Sequence, residues 1–185
     1  MKSQKLAGRY ANALYEFAVQ ENKLEDTYQD ILKLKQVFHE NLELKAVIES
    51  PVITPDKKKN IFSALFEQKI NAVTYGFLSL IIKKKREPAL MMIFDEFIRL
   101  YNKHHNIRIA QFTTAVAISD DLAERIKAVL EEQTKSTIEL HRFVNPELIG
   151  GFIVKIDDFL VDTSLIGKIN KLKQEFSNNV YQAGF

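Results

Sequence analysis

The sequence predicts an α+β chain, an N-terminal six-helix bundle followed by a small C-terminal β-α-β-β-β-α domain. Three observations predict it. Apolar residues recur at helical spacing as far as residue 103. The tract Lys103, His104, His105, Asn106 is polar and unpatterned, a candidate hinge. Beyond it the chain turns β-branched and alternating, then ends in a periodic segment with a capping signal. The expected domains are therefore 1–105 and 106–185.

The first helix is expected over residues 3–20. Leu6, Tyr10, Ala13, Leu14 and Phe17 make one stripe; Ala7, Ala11, Tyr15 and Ala18 make another. A surface helix normally carries one apolar stripe. Two stripes describe either a helix central to a bundle or one that packs its own core on one side and a partner on the other. Residues 23–39 continue helical through Leu24, Tyr28, Ile31, Leu32 and Phe38, and Asn41 can cap a short helix that runs to about Glu49. Ser50-Pro51 breaks it, because a residue before proline avoids helical dihedrals. Thr54, Pro55 and Asp56 restart it as cap, first position and first-turn acid. Ile61, Phe62, Leu65 and Phe66 form its apolar face. The fifth helix, about 72–85, again has two stripes: Val73, Phe77, Leu80 and Ile81, then Tyr75, Leu78 and Ile82. Lys83, Lys84, Lys85 and Arg86 close it where positive charge suits the helix dipole. After Glu87-Pro88, residues 89–103 run helical through Leu90, Phe94, Phe97, Ile98 and Tyr101.

In the second half, residues 107–118 read as strand. Ser119, Asp120 and Asp121 cap a helix carrying Leu122, Ile126, Val129 and Leu130. Ile138, Leu140 and Val144 alternate as a second strand. Asn145-Pro146 and Gly150-Gly151 are turns, and 152–156 and 159–161 are short strands reversed at Asp157-Asp158. Asp162, Thr163 and Ser164 open a helix whose face is Leu165, Ile169, Leu172 and Phe176.

Composition narrows the function. A net charge of +2 is too balanced to imply nucleic acid by itself. With Cys 0, disulfides, thiolate nucleophiles and Cys-based metal sites are excluded. No apolar run is long enough to span a bilayer, and the first residues lack a secretory h-region, so a bacterial cytoplasmic protein is expected, one that meets a membrane only through a partner.

Motifs for chemistry are absent from the sequence. His39, His104, His105 and His141 sit in no metal-ligand frame. Gly167-Lys168 lacks the upstream glycine of a phosphate loop, and no Gly-x-Ser-x-Gly elbow occurs. Asp157, Asp158 and Asp162 are accounted for by a hairpin turn and a cap. No catalytic residue, metal or cofactor is expected. Two basic runs, Lys57, Lys58, Lys59 and Lys83 to Arg86, leave a nucleic-acid-binding adaptor as the alternative to a structural role, although no aromatic platform interleaves them.

Several of these residues, in order, resemble the delta-subunit family of bacterial F-type ATP synthases, relatives of the mitochondrial oligomycin-sensitivity-conferring protein. The markers are Ala7, Tyr10, Ala11, Ala13, Leu14 and Ala18; then Ser50, Pro51, Val52, Ile53, Lys57, Ile61 and Phe62; then Phe77, Leu78, Leu80 and Arg86. The strongest run is Leu148, Ile149, Gly150, Gly151, Phe152, followed by Asp162, Thr163 and Ser164. Thr163 stands where the family usually has glycine, so either that position needs no positive φ or the turn differs.

The resemblance implies a non-catalytic stator connector. Such a subunit, one copy per complex, ties the catalytic head to the peripheral stalk at the cytoplasmic face of the bacterial inner membrane, so that rotary torque couples proton flow to ATP synthesis. It implies that the N-terminal bundle holds the N-terminal helix of an alpha subunit, between the first and fifth helices. By position the contacts would be Tyr10, Ala13 and Leu14 on the first and Phe77, Leu80 and Ile81 on the fifth. The b stalk would meet the C-terminal domain, around Ile169, Leu172 and Phe176.

Overall fold

The computed structural model describes the backbone of residues 2–178 and the side chains of residues 4–171, 173 and 174. The chain divides into two compact units, Met1–His104 and His105–Phe185.

The first unit contains α1 (Lys2–Gln20), α2 (Leu24–Glu40), α3 (Leu42–Glu49), α4 (Pro55–Phe66), α5 (Ala72–Lys83), a 3-10 turn at Glu87–Ala89, and α6 (Leu90–His104). Ile93, Phe94 and Phe97 of α6 are fully buried and form the middle of the core. The main partner of α6 is α1. The buried stripe of α1 is Ala7, Ala11, Leu14 and Ala18, mostly small side chains that let another helix approach closely. Leu34 and Phe38 of α2 and Phe62 and Phe66 of α4 complete the interior.

Helix ends follow local chemistry. Residues other than glycine take positive φ where α1 and α5 close. Asn22 ends α1 at φ 54°, with the Lys23 N–H bonded to the Ala18 carbonyl at 2.9 Å. Lys85 ends α5 at φ 54°, with the Arg86 N–H bonded to the Ile81 carbonyl at 3.0 Å. Both are Schellman-type closures. Two expected caps differ. The Asn41 side chain does not cap α3; its amide donates backward to the Val37 carbonyl at 2.9 Å, sealing the end of α2. Thr54 precedes α4 without a side-chain cap bond, so Pro55 and the first-turn Asp56 are what mark that start. His104 is the last residue of α6 rather than linker, and its ring stacks on Tyr15 at 4.7 Å.

The second unit runs β1 (Ile107–Thr114), α7 (Asp120–Thr134), β2 (Thr137–Val144), a 3-10 turn at Pro146–Leu148, β3 (Phe152–Ile156), β4 (Phe159–Asp162) and α8 (Leu165–Asn178). The sheet order is β2-β1-β3-β4. β1 and β2 are parallel, with α7 as the crossover; β3 pairs antiparallel with β1 and with β4. β1 stops at Thr114, not near 118, because the Thr114 hydroxyl donates to the Val116 carbonyl and turns the chain. Ser119 caps α7 by accepting the Leu122 N–H.

The registers place Ala110, Phe112, Val154, Ile156, Phe159 and Val161 on one face of the sheet. Ala110, Phe112, Ile138, Val154 and Ile156 form the core of this unit, packed against Ile126 and Leu130 of α7. Thr163 is absent from the residues with positive φ, so that position makes no demand for glycine. Its N–H and hydroxyl both donate to the Phe152 carbonyl, each at 2.9 Å, which prolongs the β3–β4 pairing. The glycine requirement falls at Gly151, φ +78°, where a Cβ would lie 2.5 Å from the Thr163 carbonyl oxygen.

Candidate partner-binding surfaces

In the first unit the six residues expected to contact a partner helix fall into two groups. Leu14 and Ile81 are 1% and 0% exposed; they belong to the core and present no surface to another molecule. Phe77 is buried too. The reason lies in the phase of each stripe. The inward face of α1 is the small stripe with Leu14 added, and α5 turns Val73, Thr74, Phe77, Leu78, Ile81 and Ile82 all inward. Both α5 stripes expected from the sequence are therefore sealed, apart from Leu80 and the half-buried Tyr75.

The other three do face outward. Tyr10 is half-buried, Ala13 is exposed, and Leu80 is 43% exposed. The Tyr10 ring meets Phe77 edge-on at 6.5 Å and 71°, tying α1 to α5 where their outward ridges begin. Two further residues of these helices are exposed. Phe17, four residues after Ala13 on the same side of α1, is 47% exposed. Gly76, one turn before Leu80, is exposed, and a Cβ there would have no heavy atom within 4 Å. On the α4 side, Gly76, Leu80 and Lys83 line a furrow of about 510 Å³ with Pro55 and Lys59. The presence of Phe17 in an over-wide α1 stripe was the sequence signal for it; nothing in the sequence marked Gly76.

Polar contacts fix α5 at its ends. Its cap residue Asn71 accepts the Thr74 N–H at 2.9 Å. The buried Asp30 of α2 accepts both the Asn71 N–H and its side-chain amide through one oxygen, each at 2.7 Å. Just past the other end, Glu87 is paired with Lys58 of α4 at 2.9 Å, and both side chains are at most 5% exposed. The Lys57, Lys58, Lys59 run is thus no continuous basic face, because its middle residue points into the protein.

In the second unit a furrow of about 920 Å³ lies between α7 and the sheet. Its walls include Leu122, Ile126 and Val129 of α7 and Phe112, Phe152 and Phe159 of the strands. α7 packs chiefly on β2, and among the described residues the apolar side chains of β3 and β4 on the same face have no comparable helix contact. Phe159 is 74% exposed. Arg108 and Arg125 are the charged residues of the lining; no carboxylate lines it among the described residues. The sequence signal was the unbroken run Phe159, Leu160, Val161, too apolar for a strand with one solvated face.

The main described contact of α8 is not with a strand. The helix packs against the turn Pro146–Leu148, and the Leu165 N–H donates to the Gly150 carbonyl at 3.0 Å. Ser164 caps it by accepting the Gly167 N–H at 3.0 Å. Hydrogen bonds from Ser164 also hold the Asp162 carboxyl below its usual range. Ile169 is exposed. The side chains of Leu172 and Phe176 lie outside the described residues.

Residues 6–176 match the family described as the ATP synthase delta (OSCP) subunit. Among similar proteins, an ATP synthase subunit delta of Cytophaga hutchinsonii is 36% identical over 97% of this chain and 98% of its own length. One from Amoebophilus asiaticus is 32% identical over 93% of this chain and 94% of its own. In fold, the chain resembles part of a Toxoplasma gondii mitochondrial ATP synthase hexamer, with a TM-score of 0.76 at 20% identity over 93% of this chain and 97% of that one. With the family matched along nearly its whole length, the chain belongs to the ATP synthase delta (OSCP) subunit family.

Proposed function

We propose that the protein is the stator connector of an F-type ATP synthase, a non-catalytic subunit that holds the catalytic head to the peripheral stalk on the cytoplasmic side of the membrane. No described helix is long and apolar enough to cross a bilayer, so attachment in this reading runs through partner chains.

The observation that carries the head-binding side is the outward ridge of the first unit. The core is already complete beneath α1 and α5, yet Tyr10, Ala13, Phe17, Gly76 and Leu80 remain at the surface. An amphipathic helix lays its apolar anchors into such a seam. Ala13 and Gly76 admit close backbone approach, and Tyr10, braced by Phe77, is the expected hot spot. A tie that withstands torque needs tight binding, and nanomolar affinity corresponds to about −12 kcal/mol. Several buried anchors at roughly 1.5–3 kcal/mol each reach that order before association costs.

The second unit would receive the stalk. Ile169 is one contact point, and the larger apolar area is the furrow between α7 and β3–β4. Its two arginines are already paired within the protein, Arg108 with Asp157 at 3.7 Å and Arg125 with Asp121 at 2.9 Å, so a stalk helix would be held there by its apolar ridge.

Calorimetry with the full chain and a peptide from the N-terminus of the cognate alpha subunit tests the head-binding assignment. One-to-one binding is expected, weakened at least about tenfold by Tyr10→Asp or Leu80→Asp. Unchanged affinity in both variants would refute it. The nucleic-acid alternative draws no support from the family assignment or from the buried Lys58.

A further inference from the structure

Two buried polar contacts bracket α5. At its N-terminus the Asn71 amide is shared among Asp30 at 2.7 Å, Thr74 at 3.0 Å and Thr27 at 3.3 Å, and Thr27 and Thr74 are themselves fully buried. Asp30 has no cation within ion-pair distance among the described residues. Its charge sits at the positive end of the α5 dipole, which favours an anion. At the other end, α5 closes at Lys85, and two residues later Glu87 meets Lys58 inside the protein. One contact joins α5 to α2, and the other joins the end of α5 to α4. Between them, Gly76 and Leu80 are exposed on α5 while Phe77 and Leu78 turn inward.

These contacts are costly ways to gain stability. Replacing a buried ion pair by apolar residues of similar volume is often neutral or stabilising. What they add is direction. Hydrophobic packing is non-directional, and a helix whose stripes are apolar on two sides has more than one acceptable rotation. α5 is such a helix, because Phe77, Leu78, Ile81 and Ile82 are all suited to the interior. A turn of one residue, about 100° at 3.6 residues per turn, would exchange Leu80 for Ile81 at the surface. A hydrogen-bonded carboxylate at one end and an ion pair at the other forbid that slip.

We propose that Asp30 and the Lys58–Glu87 pair are positioning residues, which hold α5 in the one rotation that presents Gly76 and Leu80 to a partner helix before that helix arrives. The proposal rests on the docking reading above. It assigns these three side chains an effect on affinity that exceeds their effect on stability, since a groove that is competent only part of the time binds more weakly in proportion.

The test uses the full chain with two variants, Asp30→Asn and the double substitution Lys58→Met with Glu87→Leu. Thermal unfolding, calorimetry with the alpha N-terminal peptide, and NMR of the Leu80 and Ile81 methyl groups are recorded for each. The double variant is expected to keep its melting temperature within a few degrees and to bind about tenfold more weakly, with exchange-broadened α5 methyl signals. Asp30→Asn is expected to show the same broadening and carries the test alone if the double variant does not fold. A folded variant with wild-type affinity and sharp, unshifted α5 signals overturns the proposal. Failure of the wild-type chain to bind the peptide would sink the docking reading instead; the methyl spectra would still decide whether α5 is held by these contacts.

Discussion

Tyr28 stacks on Tyr101 with ring centroids 3.7 Å apart and planes 11° from parallel, joining α2 to α6. The Tyr101 hydroxyl donates to Glu25 of α2, so the same ring is held by its face and by its edge. Burial first, and then the bond to Glu25, push this hydroxyl above the usual tyrosine range. The unfolded chain releases the proton near pH 10. Above that pH the folded state holds more protons than the unfolded one, so stability falls as pH rises. The full contribution is present below about pH 10 and is lost progressively in more alkaline buffer. Tyr101→Phe should flatten this alkaline loss and cost about 0.5–1.5 kcal/mol at neutral pH. Urea titrations of both proteins across the alkaline range check the slope; equal slopes would contradict the assignment to Tyr101.

Leu14 and Leu80 looked alike in sequence but separate in the structure, and their alanine variants should separate too. Leu14 is sealed in the core, so Leu14→Ala should cost about 2–5 kcal/mol through lost burial and a cavity. Leu80 stands at the surface, so Leu80→Ala should change stability by no more than about 0.5 kcal/mol. Binding of the alpha peptide should show the reverse order, judged at temperatures where both variants remain folded.

Periodicity was enough to place the helices of the first unit and the β-α-β-β-β-α order of the second, because apolar spacing reports burial directly. It was not enough to say which of two stripes faces inward. On α1 the spacing left both stripes open, and the interior took Ala7, Ala11 and Ala18 together with Leu14 from the other stripe, since a neighbouring helix needs small residues to come close. The same ambiguity put Leu14 and Ile81 on the partner list. Polar residues in the interior were equally hidden. Asp30 sits in a charged helix, and its role depends on Asn71, 41 positions away in the chain. The apolar furrow of the second unit depends on where α8 goes, and a face of Leu165 and Ile169 fits a sheet as well as solvent.

Gly151 offers a test of the β3–β4 hairpin. An alanine there would need positive φ and would press its Cβ against the Thr163 carbonyl and the Ser164 Cα, at 2.5 and 2.9 Å. Both neighbours are backbone, so relief requires the strand end to move. Gly151→Ala should destabilise the second unit by more than about 1 kcal/mol. Hydrogen exchange should show faster opening at Phe152 and Thr163, which share the hydrogen bonds of that strand end, while amides of α6 keep their protection.

Lys57, Lys58 and Lys59 form the sharpest local contrast in the chain. Lys57 and Lys59 are exposed, and Lys58 is 4% exposed with its ammonium against Glu87. Removing an exposed lysine loses a hydrated charge and little else, so Lys57→Ala and Lys59→Ala should each shift stability by no more than about 0.5 kcal/mol. Removing Lys58 strands a carboxylate away from water, and breaking a buried pair on one side costs about 3–5 kcal/mol. Glu87→Gln in the Lys58→Ala background should recover part of that loss, because the stranded charge is then gone. Denaturant midpoints for the three single variants and this double variant decide the matter. Three equal single-variant midpoints would mean that position 58 behaves like a solvated basic residue, and the buried link between α4 and the turn after α5 would have to be abandoned.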